Sequence, residues 1–178
     1  MDKKDIILQA AFIIRDEGYD RLTLSYLAQK LGVRKASLYY HFDSKDRIIS
    51  AVYDYFEKDC LHLSFTVDLS QEPEAVLESA VSHWSDLFTD RTRSAFISLL
   101  QQRMDADQRA WDDMQSLLLM LYSQSEAIIS NMAERGSIRT NNPQALSRLF
   151  ASSLTAAFIW ELEDPQACVK SFLSLFSA

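Results

Sequence analysis

Helix-breaking residues are rare in this sequence, and their scarcity restricts the possible folds more than any other feature. The 178 residues include three glycines and three prolines: Gly18, Gly32, Gly136, Pro73, Pro143 and Pro165. Because glycine and proline interrupt helices, this wide spacing favours long helices. No alternating run of β-branched residues indicates a strand. The sequence therefore predicts an all-α protein of about nine helices.

Apolar residues recur at helical spacing along most of the chain, and capping residues and breakers mark where the helices end. Thr23 is predicted to cap the second helix, and Gly18 and Gly32 to end the first two. The predicted helices are Lys3–Glu17, Leu24–Leu31, Ser37–Phe42, Lys45 to about His62, Pro73 to about Phe88, Arg91–Met104, Asp107–Arg135, and two final helices opened by Pro143 and Pro165.

The net charge of −7 is unevenly distributed along the chain. Residues 1–48 carry a formal charge of +2, and the remaining residues carry −9. A mildly basic head on an acidic body would present only its head to nucleic-acid phosphates, because the body repels them. A chance unevenness of a solvated surface is the alternative, so the charge alone does not decide between them.

Several classes of protein are disfavoured by what the sequence lacks. Cys60 and Cys168 lie far apart and outside any CxxC or Cys/His spacing, which predicts buried thiols and no metal or other cofactor. There is no triad-like or HExxH pattern and no glycine-rich phosphate loop, so we do not expect an enzyme. No apolar run approaches the roughly 18 residues of a membrane span, and the start shows no signal-peptide pattern, so we expect a cytoplasmic protein without a membrane partner.

The most informative stretch is residues 22–45, LTLSYLAQKLGVRKASLYYHFDSK. It reads as an amphipathic helix, a glycine turn and a short second helix, which is the geometry of a helix-turn-helix. Gly32 supplies the turn, while Val33 and Leu38 are suited to pack in the joint between the helices. The second helix then exposes a row of polar and aromatic side chains that fits a DNA major groove.

The segment Leu-Ala-Gln-Lys-Leu-Gly-Val, followed by Leu-Tyr-Tyr-His-Phe and Ser-Lys, resembles the signature of the TetR family of bacterial transcriptional regulators. The resemblance covers roughly residues 5–56. It implies a three-helix DNA-binding head over residues 1–46 and a helical effector-binding and dimerisation body over residues 47–178. It also implies a repressor released from operator DNA by a small molecule. The alternative is a regulator controlled by a protein partner, or an activator or coactivator.

The resemblance also implies a role for individual residues. Three residues would reach base edges, with two beside them: Lys35, Ala36 and Tyr39, flanked by Arg34 and Ser25. Five others match phosphate-contacting positions: Thr23, Ser37, Tyr40, His41 and Lys45. Tyr39 and Tyr40 as half-buried packing residues, and His41 as a capping or core histidine, are the alternatives.

The body of such a protein pairs with a second copy and encloses an effector. Aromatic and methionine side chains are the candidate lining for a small apolar or amphipathic effector: Tyr53, Phe56, Trp84, Phe88, Phe96, Met104, Trp111, Met114 and Tyr122. Plain core packing is the alternative for each. The last two helices have broad apolar faces that suit a four-helix bundle in a homodimer: Leu146, Phe150, Leu154, Phe158, Val169, Phe172 and Phe176. Burial within the monomer is the alternative for these seven.

Overall fold

The structure, a computed structural model, describes residues 2–62, 65–160 and 164–176. These ranges contain nine α-helices and one 3₁₀ turn: α1 Lys3–Glu17, the turn Tyr19–Arg21, α2 Leu24–Lys30, α3 Lys35–Tyr39, α4 Lys45–Leu61, α5 Pro73–Thr89, α6 Arg91–Arg103, α7 Gln108–Glu134, α8 Pro143–Trp160 and α9 Pro165–Phe176. The predicted all-α fold is confirmed. In the described part of the chain, no helix has the length and apolar content needed to cross a bilayer.

Both ends of α1 are set by local chemistry. Asp2 and Asp5 form a capping box, in which each side chain accepts the other residue's backbone N–H at 2.8 Å. These bonds satisfy amide groups that a helix start leaves without partners. At the other end Gly18 has φ +93°, where a side chain would be strained, and the helix stops there as predicted.

The helix-turn-helix also forms where the sequence predicts it. Thr23 caps α2, since its hydroxyl oxygen accepts the Tyr26 amide at 3.1 Å. Gly32 has φ +67°, a left-handed conformation that glycine adopts without strain. The chain then bends back, and the Val33 amide donates to the Ala28 carbonyl at 3.0 Å. This sharp turn positions the third helix.

Helix α3 begins two residues earlier and ends three residues earlier than its apolar pattern predicts. Arg34 has an extended backbone and acts as the N-cap, so the helix starts directly at Lys35. At its other end the amides of His41 and Phe42 both donate to the Leu38 carbonyl, at 2.9 and 2.8 Å. Sharing one carbonyl tightens the last turn, and the helix ends there.

The chain divides into two compact units that alternate along the sequence. The first contains Met1–Leu63 and Thr89–Ser116, and the second contains Ser64–Phe88 and Leu117–Ala178. Helices α1–α4 and α6 belong to the first unit, and α8 and α9 belong to the second. The predicted boundary between residues 46 and 47 concerns function, and it stays a prediction.

In the first unit, α1 packs on both α4 and α6, which also contact each other. At their centre Phe56 of α4 stacks on Phe96 of α6, with ring centroids 5.6 Å apart, and Tyr53 meets Phe96 edge-on at 6.2 Å. All three side chains are buried. Burial of an apolar side chain of this size stabilises a fold by about 1.5–3 kcal/mol, so the cluster is a major part of this core.

The core of the second unit also contains aromatic contacts. Phe172 of α9 packs on Phe150 of α8, with ring centroids 4.7 Å apart, and Phe88 stacks on Phe158 at 4.6 Å. Six of the seven residues predicted to form a dimer interface are buried within this unit, and Phe176 is half-buried. Their contact with a second copy stays a prediction. Three other apolar residues on α8 and α9 are exposed instead: Leu149, Trp160 and Leu175.

The aromatic cluster of the first unit generates a stability prediction. Replacing Phe96 by alanine should lower the free energy of unfolding by about 3–5 kcal/mol, because it removes the stacked ring and leaves a cavity. Phe96→Leu retains much of the volume and should cost less than about 1.5 kcal/mol. Urea denaturation followed by circular dichroism measures both. A loss below 1 kcal/mol for Phe96→Ala would show that the stack does not stabilise this core.

Candidate nucleic-acid interface

Helix α3 presents a polar face because one residue anchors it. Leu38 is completely buried, whereas Lys35, Ala36 and Ser37 are exposed. Tyr39 is 49% exposed, and Lys35 Nζ lies 5.8 Å from the centre of its ring. At that distance an ammonium is attracted to the face of an aromatic ring. The helix therefore offers a cation, a methyl group, a hydroxyl and an aromatic edge on its solvent side.

The residues after α3 extend this face. Tyr40 is 87% exposed, so its ring does not serve as a packing residue within the chain. The half-buried His41 ring meets Tyr40 edge-on, with the ring centroids 5.1 Å apart. Tyrosine hydroxyl and imidazole N–H groups are both donors suited to phosphate oxygens.

Three further predicted residues lie at the starts of α2 and α3. Thr23 uses its hydroxyl oxygen to accept the Tyr26 amide, which leaves the hydroxyl hydrogen available for another acceptor. Ser25 is exposed on the first turn of α2, and Arg34 is exposed at the start of α3, where its side chain makes no capping bond. The structure thus places Thr23, Ser25 and Arg34 at the starts of the two helices of the motif.

Lys45 is placed differently from the other predicted contacts. Its ammonium donates to the Tyr19 carbonyl at 3.0 Å and lies 3.8 Å from the centre of the Tyr19 ring. Burial lowers the pKa of the Lys45 ammonium from its ordinary value, and the neighbouring Arg103 acts in the same direction. The side chain of Lys45 therefore supports the turn after α1. Its predicted contact with a phosphate stays a prediction.

The same turn is also held from α6. The Gln102 side chain accepts the Tyr19 amide at 2.7 Å through Oε1. Its Nε2 donates to the Ile14 carbonyl and to Ser98 Oγ, both at 2.9 Å. One side-chain amide thus bonds to the last turn of α1 and to the start of the following turn. Sequence analysis gave no indication of this contact, because Gln102 lies 88 residues from Ile14.

Two cations near α3 were also missed by sequence analysis. Lys3 in the first turn of α1 and Arg47 in the first turn of α4 line a cavity of about 440 Å³. Tyr39, Tyr40 and His41 line the same cavity. Each cation lies in the first turn of a helix. This position is the only feature of the sequence that could have indicated these two residues. Their proximity depends on the packing of α1 against α4.

The residues predicted to line an effector site are distributed over both units. Six lie in the first unit: Tyr53, Phe56, Phe96, Met104, Trp111 and Met114. Three lie in the second: Trp84, Phe88 and Tyr122. Within the first unit, the Tyr53 hydroxyl donates to Asp107 Oδ2 at 2.9 Å, and burial raises its pKa above the ordinary value. Their role in binding an effector stays a prediction.

Two cavities lie among the described residues of the second unit. One of about 330 Å³ is mainly apolar, and none of the nine predicted residues lines it. Its lining consists of Phe65, Thr66, Val67, Leu69, Gln124, Ala127 and Ile128. Gln124 Oε1 accepts the Trp84 indole N–H at 2.6 Å, which orients the amide. The other, of about 540 Å³, includes Tyr122 among its lining residues. The cavity beside Gln124 combines an apolar wall with a fixed polar group, as small-molecule sites do.

The cysteines are buried, as predicted, and neither forms a disulfide. Burial raises the pKa of the Cys60 thiol to about 12. The thiolate is the reactive form of cysteine, so Cys60 is protected against oxidation at neutral pH. Within the described ranges, no group of three or more His, Cys, Asp or Glu side chains is placed to hold a metal ion.

Comparison with known proteins identifies the motif. Residues 6–52 match the family model described as bacterial regulatory proteins, tetR family. The biofilm operon icaADBC HTH-type negative transcriptional regulator IcaR of Staphylococcus aureus strain Newman is 42% identical over 57 residues, which are 30% of this chain and 31% of IcaR. The match thus spans about a third of that relative's length. Over residues 6–52, the chain is therefore similar to the TetR family.

Solved structures extend the likeness to the whole fold of the chain. A TetR-family transcriptional regulator from Agrobacterium tumefaciens has a TM-score of 0.69 and 17% identity, with 99% of this chain and 97% of that chain covered. The structure of a SmeT–triclosan complex has a TM-score of 0.64 and 15% identity, with 99% and 91% covered. At such low identity these structures show a shared fold alone.

The contacts of Lys45 predict a structural role for its side chain. Lys45→Met should lower the free energy of unfolding by about 1–2 kcal/mol, because the Tyr19 carbonyl and ring lose a charged partner. Lys35→Met, at an exposed position on α3, should change it by less than about 0.5 kcal/mol. Thermal denaturation of the two variants makes the comparison. Equal changes in both would contradict a supporting role for Lys45.

Proposed function

We propose that this chain is a sequence-specific DNA-binding transcriptional regulator that represses its target genes. The observation that carries the proposal is the exposed face of α3, held by the buried Leu38 within a helix-turn-helix that matches the TetR family. Helices placed in this way enter the DNA major groove. The name of IcaR, a negative transcriptional regulator, supports repression. The chain would act without catalysis, in the bacterial cytoplasm.

The exposed residues divide into two groups by the DNA atoms that suit them. Lys35 is suited to donate to guanine O6 and N7, and Ala36 and the Tyr39 ring to meet a thymine methyl group. Ser25 and Arg34 flank these base contacts. Ser37, Tyr40, His41 and the Thr23 hydroxyl hydrogen are suited to phosphate oxygens, which fix the register of the protein on DNA. At Lys45, the backbone amide at the start of α4 is better placed for a phosphate than the side chain is. The side-chain ammonium already donates to the Tyr19 carbonyl.

A homodimer is part of the proposal. Two copies of a helix-turn-helix read two half-sites about one DNA turn apart. The exposed Leu149, Trp160 and Leu175 on α8 and α9 support pairing through these helices, because they remain exposed after the chain has buried most of the apolar residues there. The seven predicted dimer residues would then form the layer beneath the interface.

Release of DNA by a small apolar or amphipathic molecule completes the proposal. The cavity beside Gln124 supports it, with Phe65, Val67 and Ile128 supplying apolar surface. The SmeT complex supports it as well, since that fold accommodates triclosan. A ligand that prefers the DNA-free form with a coupling of about 1–3 kcal/mol would weaken operator binding about 5- to 150-fold.

The DNA-binding proposal is tested on an operator selected from a randomised duplex pool. Fluorescence anisotropy at fixed salt compares the wild type with a Lys35→Ala, Tyr39→Ala variant. We expect the variant to bind the selected duplex at least about tenfold more weakly, because base contacts of about 1–3 kcal/mol are lost. Arg139→Ala, which removes an exposed charge between α7 and α8, serves as the control and should bind like the wild type. Selection that enriches no sequence would refute the proposed function.

The effector proposal is tested by filling the cavity beside Gln124. Ala127 lines this cavity from an exposed position on α7, so Ala127→Trp adds bulk with little effect on folding. We expect it to weaken binding of the apolar dye 1-anilinonaphthalene-8-sulfonate, measured by fluorescence titration, while operator binding persists. Ala106→Trp, at an exposed position between α6 and α7 and outside this cavity, is the matched control. Identical dye binding by all three proteins would place any effector elsewhere, or favour control by a protein partner.

A further inference from the structure

The cavity lined by Lys3 and Arg47 has the composition of an anion site. It lies at the end of α3, among the first turn of α1, the first turn of α4 and the residues that follow α3. Both cations are exposed. The half-buried His41, which lies between them in sequence, lines the same cavity. Asp43 is the one carboxylate that lines it. The formal charge of the lining is therefore positive.

Lys3 and Arg47 differ from Lys30 and Lys45 in their partners. Lys30 is paired with Glu17 at 2.8 Å, and the Lys45 ammonium is bound to the Tyr19 turn. Among the described residues, neither Lys3 nor Arg47 forms an ion pair with a carboxylate. Lys3 instead lies 5.7 Å from the centre of the Phe42 ring. Two cations next to one cavity thus keep their charge available to an outside partner.

We propose that Lys3 and Arg47 form a phosphate-binding site for the DNA backbone next to the groove that α3 enters. The inference rests on the proposed function, because α3 in a major groove brings this cavity to the flanking phosphates. Arginine binds phosphate oxygens through two parallel N–H groups, and lysine acts as a compact charge. Contacts of this kind fix register and are insensitive to base sequence. Helix α1 therefore takes part in DNA binding, beyond the helix-turn-helix itself.

The test is the salt dependence of DNA affinity for the full-length protein. Wild type and a Lys3→Ala, Arg47→Ala variant are titrated with the selected operator and with a random duplex over a range of NaCl concentrations. Each lost phosphate contact should reduce the slope of log K against log salt by about 0.9. We expect the affinity for both duplexes to fall by the same factor, so the specificity ratio should not change.

Two controls separate this effect from general charge loss and from misfolding. Arg135→Ala, Arg139→Ala removes two exposed positive charges from the second unit, outside α8 and α9, and its slope should equal that of the wild type. Lys3→Arg, Arg47→Lys retains both charges and should restore most of the slope. Thermal denaturation checks that every variant folds.

The possible results distinguish this inference from the proposed function. A slope unchanged in the alanine variant, or a loss confined to the operator, overturns the phosphate site while leaving the regulator in place. A wild type that prefers no sequence, yet loses slope in the alanine variant, supports the phosphate site and refutes sequence-specific regulation. A wild type that binds neither duplex refutes both.

Discussion

Helix α1 buries a continuous apolar stripe against α4 and α6 in the first unit. Ala10 and Ala11 are completely buried in it, and their small side chains let neighbouring helices approach closely. Two of these helices carry cations beside the candidate DNA face, Lys3 on α1 and Arg47 on α4. Helix α3 has only five residues and is too short to be stable alone. Its orientation is therefore a property of the core beneath it, transmitted through the buried Leu38.

The placement of individual charges matters more here than their sum. A chain of net charge −7 is an unusual candidate for binding a polyanion, and even residues 1–48 carry only +2. Yet Lys30 is paired with Glu17 and the Lys45 ammonium donates to the Tyr19 carbonyl, whereas Lys35 is exposed on α3. Internal bonds thus separate the cations that have a partner within the chain from those that remain available to an outside partner. Counting charges along a sequence does not separate these two groups.

Local features of this protein were readable from sequence, and features that depend on packing were not. The end of α2 was predictable, because the positive φ of Gly32 is a property of one residue and its neighbours. The placement of Lys3 and Arg47 on the same cavity was not predictable, since it requires α1 to pack on α4. Aromatic residues show the same limit: Phe96 lies in a core and Phe65 beside a cavity, and their identity alone does not separate the two. The predicted limits of α3 were wrong because Arg34 caps its start and because its last turn depends on the shared Leu38 carbonyl.

The bond from Gln102 to the end of α1 bears on how the helix-turn-helix of this chain could be transferred to another protein. A chimaera that joins the first 46 residues of this chain to the body of a relative would keep the Tyr19 amide but lose the side chain that accepts it. The Ile14 carbonyl would lose its second donor as well. Exchange of the helix-turn-helix between relatives would therefore be best performed with α6 included, or with a glutamine introduced at the corresponding position of the recipient. The piece that can be transplanted is defined by contacts, and it is discontinuous in sequence.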